Sequence, residues 1–125
     1  MPLIFIKVGG DLMHKEIKIN RDKTFKLEKQ LQKYCMDHVK KLSKAGVPTM
    51  AMNQPAGPHN RRGVSDLILS IDGQFVAVEL KNGRGNQYKP TELQLRFLKE
   101  VEDSGGIGEV IYSFAEFCDL LDMMI

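Results

Sequence analysis

The sequence predicts an α/β domain in which helices flank a mixed central sheet, and three observations support this fold class. Two β-rich runs, 66–71 and 74–80, are joined by the two-residue hairpin turn Asp72-Gly73. Runs with apolar residues at helical spacing lie before and after this hairpin. A capping-box pattern, from Ser113 to Glu116, opens a last helix. The elements are predicted in the order α-β-β-β-α-β-α, at about residues 24–45, 47–52, 66–71, 74–80, 90–103, 109–112 and 114–125.

Length and composition indicate a single soluble domain. The chain has 125 residues, of which 42% are hydrophobic and 27% are charged. Its apolar runs are too short to cross a bilayer, so we expect a cytoplasmic protein with no membrane partner. Residues 1–23 are predicted to be an N-terminal arm or an extra strand, and 24–125 the domain itself. Cys35 and Cys118 are expected to be buried reduced thiols because their spacing is not of a metal-binding type.

The charge of the chain is unevenly distributed. Residues 1–64 hold 13 Lys and Arg against 5 Asp and Glu, whereas residues 65–125 hold 5 against 11. The basic half could attract a phosphate backbone, although a solvated lysine-rich helix is the commoner explanation of such a bias. The same two interpretations apply to the lysines of the first helix, and the solvated face is favoured for most of them. These lysines are Lys29, Lys33, Lys40, Lys41 and Lys44.

The first helix is predicted to begin at about Thr24, with Asp22 or Thr24 as the N-cap and Gly46 as the stop. Its apolar positions recur at helical spacing and predict one buried stripe. The stripe comprises Leu27, Leu31, Tyr34, Cys35, His38, Val39 and Leu42. The second helix is predicted to be buried through Leu93, Phe97, Leu98 and Val101.

Charged residues gather at the open end of the hairpin. If Asp72 and Gly73 form the turn, opposed residues have numbers that sum to 145, and Asp66 faces Glu79. Carboxylates opposed in this way repel each other unless something cationic lies between them, which suits a divalent cation. Lys81 leaves the strand on the same face as Glu79 because side chains alternate along a strand. We expect these charges to be accessible to a substrate and the other face of the hairpin to be core.

The motifs around this hairpin resemble those of the VRR-Nuc family of PD-(D/E)XK nucleases. That family has a Gly-x-Pro-Asp-Leu stretch, a hairpin that ends in Glu-x-Lys, and a Gln that opens the next helix. This chain has Gly63-Val64-Ser65-Asp66-Leu67, Glu79-Leu80-Lys81 and Gln94 in that order. Ser65 stands where the family has proline. The resemblance covers roughly residues 25–112 and implies a restriction-endonuclease-like core.

The resemblance also implies an activity, namely Mg²⁺- or Mn²⁺-dependent hydrolysis of DNA to a 5′-phosphate and a 3′-hydroxyl. Asp66, Glu79, the carbonyl of Leu80 and Glu28 would hold the metal. Lys81 would position the attacking water or neutralise charge on the phosphate, and Gln94 would orient water or a phosphate oxygen. For Glu28 the alternative is a solvent-facing glutamate stabilised by the helix dipole, and for Gln94 it is an exposed helical glutamine.

Further basic residues flank the hairpin and could contact DNA phosphates. His59, Arg61 and Arg62 lie in a long loop before it, and Arg84 and Lys89 follow it. Long loops in compact domains are more often functional than not, although an ordinary surface loop remains a fair alternative.

Stand-alone VRR-Nuc proteins are associated with phages and branched DNA, so the resemblance implies a four-way junction (Holliday junction) or flap substrate. The apolar terminal helix is explained by core packing, and it would also serve as a homodimer surface. The alternative from another class is a catalytically inactive nucleic-acid-binding module, in which Asp66, Glu79 and Lys81 are salt-bridged hairpin charges. A small-molecule phosphatase ranks third because the chain has no phosphate-cradling glycine loop.

Overall fold

A four-stranded mixed sheet with helices on both faces forms the body of the protein, in a computed structural model that describes residues 3–8, 13–53, 63–84 and 89–125. The elements are β1 (Leu3–Val8), β2 (Met13–Lys18), α1 (Glu28–Lys44), β3 (Thr49–Asn53), β4 (Leu67–Ile71), β5 (Gln74–Leu80), α2 (Glu92–Asp103), β6 (Ile107–Ile111) and α3 (Phe114–Met124). From residue 24 onwards their order is the predicted α-β-β-β-α-β-α. No helix in the described ranges is long and apolar enough to span a bilayer.

The strands of the sheet lie in the order β3-β4-β5-β6. Strand β4 is antiparallel to both β3 and β5, whereas β6 is parallel to β5 and is connected to it through α2. The mixed sheet is therefore confirmed. Strand β3 lies at one edge of the sheet and begins directly after Pro48. Strands β1 and β2 pair with each other in a separate two-stranded sheet.

The central hairpin has the predicted register. Ile71 lies opposite Gln74, and Leu69 lies opposite Val76. Asp72 and Gly73 have positive φ angles of 51° and 84°, as the two central residues of a type I′ turn require. One face of this hairpin is entirely buried, and its residues are Leu67, Leu69, Ile71, Val76, Val78 and Leu80.

The two faces of the sheet are covered by different helices. The buried hairpin face packs against α1 and α3 in the larger core cluster, which includes Leu31, Cys35 and Phe117. Helix α2 covers the opposite face, where Leu98 and Val101 form a small cluster with Ala77 of β5. Cys35 and Cys118 are both buried and free, as predicted.

Helix α1 begins four residues later than predicted, at Glu28. Its N-cap is Leu27 rather than Asp22 or Thr24, because the Oε1 atom of Gln30 accepts hydrogen bonds from the backbone N–H groups of Lys26 and Leu27. A side chain inside the helix thus replaces the cap expected before it. The predicted burial of Leu27 is also wrong, since this side chain is 59% exposed.

The end of α1 and the start of α3 agree with the sequence prediction. Gly46, with a φ of 99°, follows α1 as the predicted stop. The Ser113 side chain caps α3 by accepting from the backbone N–H of Glu116. In α2, however, Leu93 is 41% exposed and does not belong to the buried face.

Candidate active site

Four of the predicted site residues lie at the open end of the hairpin, where β4, β5 and α2 meet. Asp66 immediately precedes β4, Glu79 is the penultimate residue of β5, and Lys81 follows that strand. Gln94 lies in the first turn of α2, which begins two residues earlier. Three elements that are separated in sequence therefore each contribute a polar side chain to one place.

Hydrogen bonds join these residues directly. The Nε2 atom of Gln94 donates to Oε1 of Glu79 over 2.7 Å, and the Nζ atom of Lys81 lies 3.5 Å from the same oxygen. Asp66 accepts, at its Oδ2 atom, the backbone N–H of Leu80 over 2.9 Å. This last bond extends the hairpin pairing beyond β4 and fixes the Asp66 carboxylate beside Glu79.

The orientation of the Gln94 amide follows from the capping of α2. Its Oε1 atom accepts the backbone N–H of Thr91 over 2.8 Å, while Thr91 accepts the backbone N–H of Gln94 in return. With its oxygen used in this way, the amide must present its N–H₂ group to Glu79. Gln94 is therefore a half-buried residue that links the helix cap to the carboxylates, not an exposed helical glutamine.

Glu79 lies much deeper than the sequence predicts. Its side chain is 1% exposed, because α2 covers this face of the hairpin, so the expectation of open access to both carboxylates is wrong. Its second oxygen, Oε2, has no hydrogen-bond partner among the described residues. Burial, together with the nearby charge of Asp66, raises the pKa of Glu79 to about 8, and Lys81 opposes this increase. Without a cation, this carboxyl group therefore holds its proton more tightly than an ordinary glutamate does.

Glu28 occupies the first helical position of α1 and faces this group. Burial and the charge of Asp66 raise its pKa, and the charge of Lys81 lowers it. The position is fixed by Asn82, whose side-chain N–H₂ donates to the carbonyl of Phe25 over 2.8 Å. That bond ties the segment before α1 to the end of β5, and so brings the start of the helix, with Glu28, towards Lys81.

The carboxylates of the candidate site are the side chains that could bind a metal ion. No group of three or more His, Cys, Asp and Glu side chains in the described part of the chain has the arrangement of a metal site. Asp66 and Glu79 nevertheless supply two carboxylates, and Oε2 of Glu79 is a buried oxygen without a partner. Hard divalent cations prefer carboxylate oxygens, so this pair fits such an ion.

Of the residues predicted to contact DNA, the structure describes Arg84 and Lys89. The Arg84 guanidinium lies over the ring of Tyr112, 4.3 Å from its centre, and pairs with Glu116 over 3.0 Å. Lys89 is exposed just before α2. His59, Arg61 and Arg62 fall outside the described residues.

Two further positioning residues near the site had no functional role in the sequence prediction. Gly63 has a φ of 80°, and a Cβ atom added there would lie 2.6 Å from the carbonyl oxygen of Leu93. Only glycine permits this approach of the loop to the start of α2. A glycine three residues before a candidate catalytic aspartate is a usable signal, whereas the contact of Asn82 with Phe25 depends on tertiary structure. Ser65 is fully buried, and its hydroxyl has no partner in the described ranges.

Comparisons with known proteins agree with this description of the fold. No protein-family model matches the sequence, and no curated protein matches it. Among solved structures, one described as a "VRR_NUC domain" superimposes with a TM-score of 0.63 at 23% sequence identity. The match covers 78% of this chain and 97% of that one. The chain therefore has the fold of a VRR-Nuc domain, as the motif predicts.

Proposed function

We propose that this protein is a divalent-metal-dependent nuclease that hydrolyses phosphodiester bonds in DNA. The observation that carries the proposal is the buried Glu79 carboxyl, which has an unpartnered oxygen and lies in contact with Lys81 and Gln94 and beside Asp66. A buried carboxyl group of this kind destabilises a fold, and ionisable groups perturbed in this way cluster at functional sites. The solved VRR-Nuc domain with the same fold bears a nuclease name.

Asp66 and Glu79, with the Leu80 carbonyl and Glu28, would hold Mg²⁺ or Mn²⁺. When bound, the ion supplies Lewis-acid polarisation of a phosphate oxygen and lowers the pKa of a coordinated water. The residues of the chain account for the rest of the chemistry. Lys81, held beside Glu79, brings a positive charge that stabilises negative charge developing on the phosphate.

Gln94 acts on the site by fixing the rotamer of Glu79. Its amide is anchored at Thr91, so the bond to Oε1 holds this oxygen in place and leaves Oε2 turned away from that donor. Such a preformed carboxylate requires little reorganisation when a cation or a substrate arrives. Oriented water or a phosphate oxygen would be further partners of the same amide.

The proposed substrate is branched DNA, such as a four-way junction or a flap, and the proposed assembly is a homodimer. Most of the apolar face of α3 is buried in the core of the domain, so the apolar surface proposed for a second copy is that of Met123, which is 82% exposed, and Ile125, which is 45% exposed. Two symmetric sites would suit incision of both strands of a junction.

One observation favours a second candidate function, a module that binds DNA without cutting it. The described residues contain no group of three metal-binding side chains, as a complete metal site would normally have. In such a module Asp66 and Glu79 would be structural charges.

The deciding experiment is cleavage of labelled duplex, single-stranded, flap and four-way-junction DNA in Mg²⁺, Mn²⁺ or EDTA. Lys81→Ala is compared with Lys99→Ala, a matched control that removes an exposed lysine on α2. The nuclease proposal predicts metal-dependent cutting that Lys81→Ala loses and Lys99→Ala retains. Binding without cutting in every metal would support the inactive module instead.

A further inference from the structure

The outer surface of α1 carries a shallow groove of about 500 Å³ with a basic lining. Lys29, Lys33 and Lys40 contribute three ammonium groups to it, and all three residues are exposed. Asp37 also lines it, which leaves an excess of two positive charges among these four residues. No ion pair between described residues neutralises any of the three lysines.

The groove has a fixed wall on the side of the sheet. The Gln32 side chain donates to Oδ1 of Asn53 over 3.1 Å, and Asn53 is the last residue of edge strand β3. This bond joins the middle of α1 to the sheet. Both residues line the groove with neutral polar groups that can donate to phosphate or sugar oxygens.

The direction of the groove relates it to the candidate active site. Lys29 lies in the first turn of α1, and the segment just before this helix is bonded to the end of β5, where Asn82 donates to the carbonyl of Phe25 over 2.8 Å. From Lys29 to Lys40 the helix rises about 16 Å at about 1.5 Å per residue. Phosphates of one DNA strand advance about 3.4 Å each along the duplex axis, so this length corresponds to roughly five of them.

We propose that this groove holds the sugar-phosphate backbone of the DNA on one side of the cut site. The inference rests on the proposed nuclease function and adds the surface along which the DNA lies beyond the carboxylates. It also separates two interpretations of the α1 lysines. A solvated face would leave DNA binding unchanged when they are removed, whereas a phosphate-binding groove makes them contribute to affinity in a salt-dependent way.

The test compares two double variants of equal net charge. Lys33→Gln/Lys40→Gln removes two lysines from the groove, and Lys23→Gln/Lys99→Gln removes two exposed lysines from outside it. Dissociation constants for a fluorescent four-way junction and for a duplex are measured in EDTA between 50 and 200 mM salt. Thermal denaturation of each variant verifies folding, which exposed substitutions should preserve.

Each phosphate contact contributes a slope of about 0.9 to the dependence of log affinity on log salt, or about 3.5-fold across this fourfold range. The affinity of wild type should therefore fall about 12-fold more than that of Lys33→Gln/Lys40→Gln. The control variant should follow wild type to within about twofold.

The outcomes separate this inference from the proposed function. If the salt response of the groove variant equals that of the control while wild type cuts DNA, the groove is refuted and the nuclease stands. If wild type binds DNA through the groove but cuts none in any metal, the groove is supported and the nuclease fails. Absence of DNA binding by wild type at 50 mM salt would overturn the groove, whereas absence of cutting in every metal would overturn the nuclease.

Discussion

Replacing Glu79 with glutamine should remove a large pH-dependent loss of stability from the metal-free protein. An unfolded chain releases the Glu79 proton near pH 4.5, whereas the folded protein retains it until about pH 8. Between these values the folded state binds more protons than the unfolded state, so the free energy of unfolding falls as pH rises. Each pH unit in this interval costs about 1.4 kcal/mol, which amounts to roughly 4 kcal/mol by pH 8. Below pH 4.5 the loss is absent.

The assay is urea denaturation in EDTA at pH 5, 6, 7 and 8, with Glu92→Gln as the control because it removes an exposed carboxylate at the start of α2. Stability should fall by roughly 4 kcal/mol more in wild type and the control than in Glu79→Gln. Saturating Mn²⁺ should offset this loss in wild type, since binding a cation to the charged carboxylate replaces the missing partner. If the stability of Glu79→Gln declines with pH as steeply as that of wild type, the raised pKa of Glu79 is not the cause of the decline.

Three other changes near the site have definite expected outcomes. Gln94→Ala removes the donor to Glu79 and half of the α2 cap, so it should lower the free energy of unfolding by about 1–3 kcal/mol in urea titrations; an unchanged midpoint would contradict the contact. Gly63→Ala places a Cβ atom against the Leu93 carbonyl at a positive φ, and thermal denaturation should show a loss of at least about 1 kcal/mol. Asn82→Ala should weaken Mn²⁺ binding in calorimetry because it frees the segment before α1. Asn82→Gln should not restore the affinity, because its longer side chain misplaces the amide. Equal Mn²⁺ affinity in wild type and both variants would refute this positioning role.

The sequence predicts the hairpin and the later helices well because their signals are local. Asp72-Gly73 sets the turn, and the turn sets every pairing in the strands that it joins. Ser113 and its partner three residues later likewise define the start of α3. The start of α1 was missed because Gln30 caps it from inside the helix, while Asp22 and Thr24 match the usual cap signal without performing that role.

The features of the candidate site differ in the same way, because some depend on local sequence signals and others on tertiary structure. The approach of Asp66 to Glu79 follows from the hairpin register, so sequence reasoning could find it. The bond from Gln94 requires the crossover that carries α2 over the sheet, and the sequence indicates it through the family resemblance alone. Burial of Glu79 was not predicted at all, because alternation along a strand gives the face of a residue but not the helix that covers that face.

The burial of Glu79 connects the stability of the fold to its proposed chemistry. Ala77, two residues earlier on the same face, packs against α2 as an ordinary core residue, and an apolar side chain at position 79 would stabilise the domain in the same way. A carboxyl group with an unpartnered oxygen at this position lowers the free energy of unfolding, and apolar packing in the rest of the core offsets that loss. Because burial raises its pKa, a cation must compete with a proton for this carboxyl group, so the proposed metal affinity is coupled to pH through the same residue. The residue that weakens the metal-free fold is therefore also the residue that we propose as a ligand of the divalent ion.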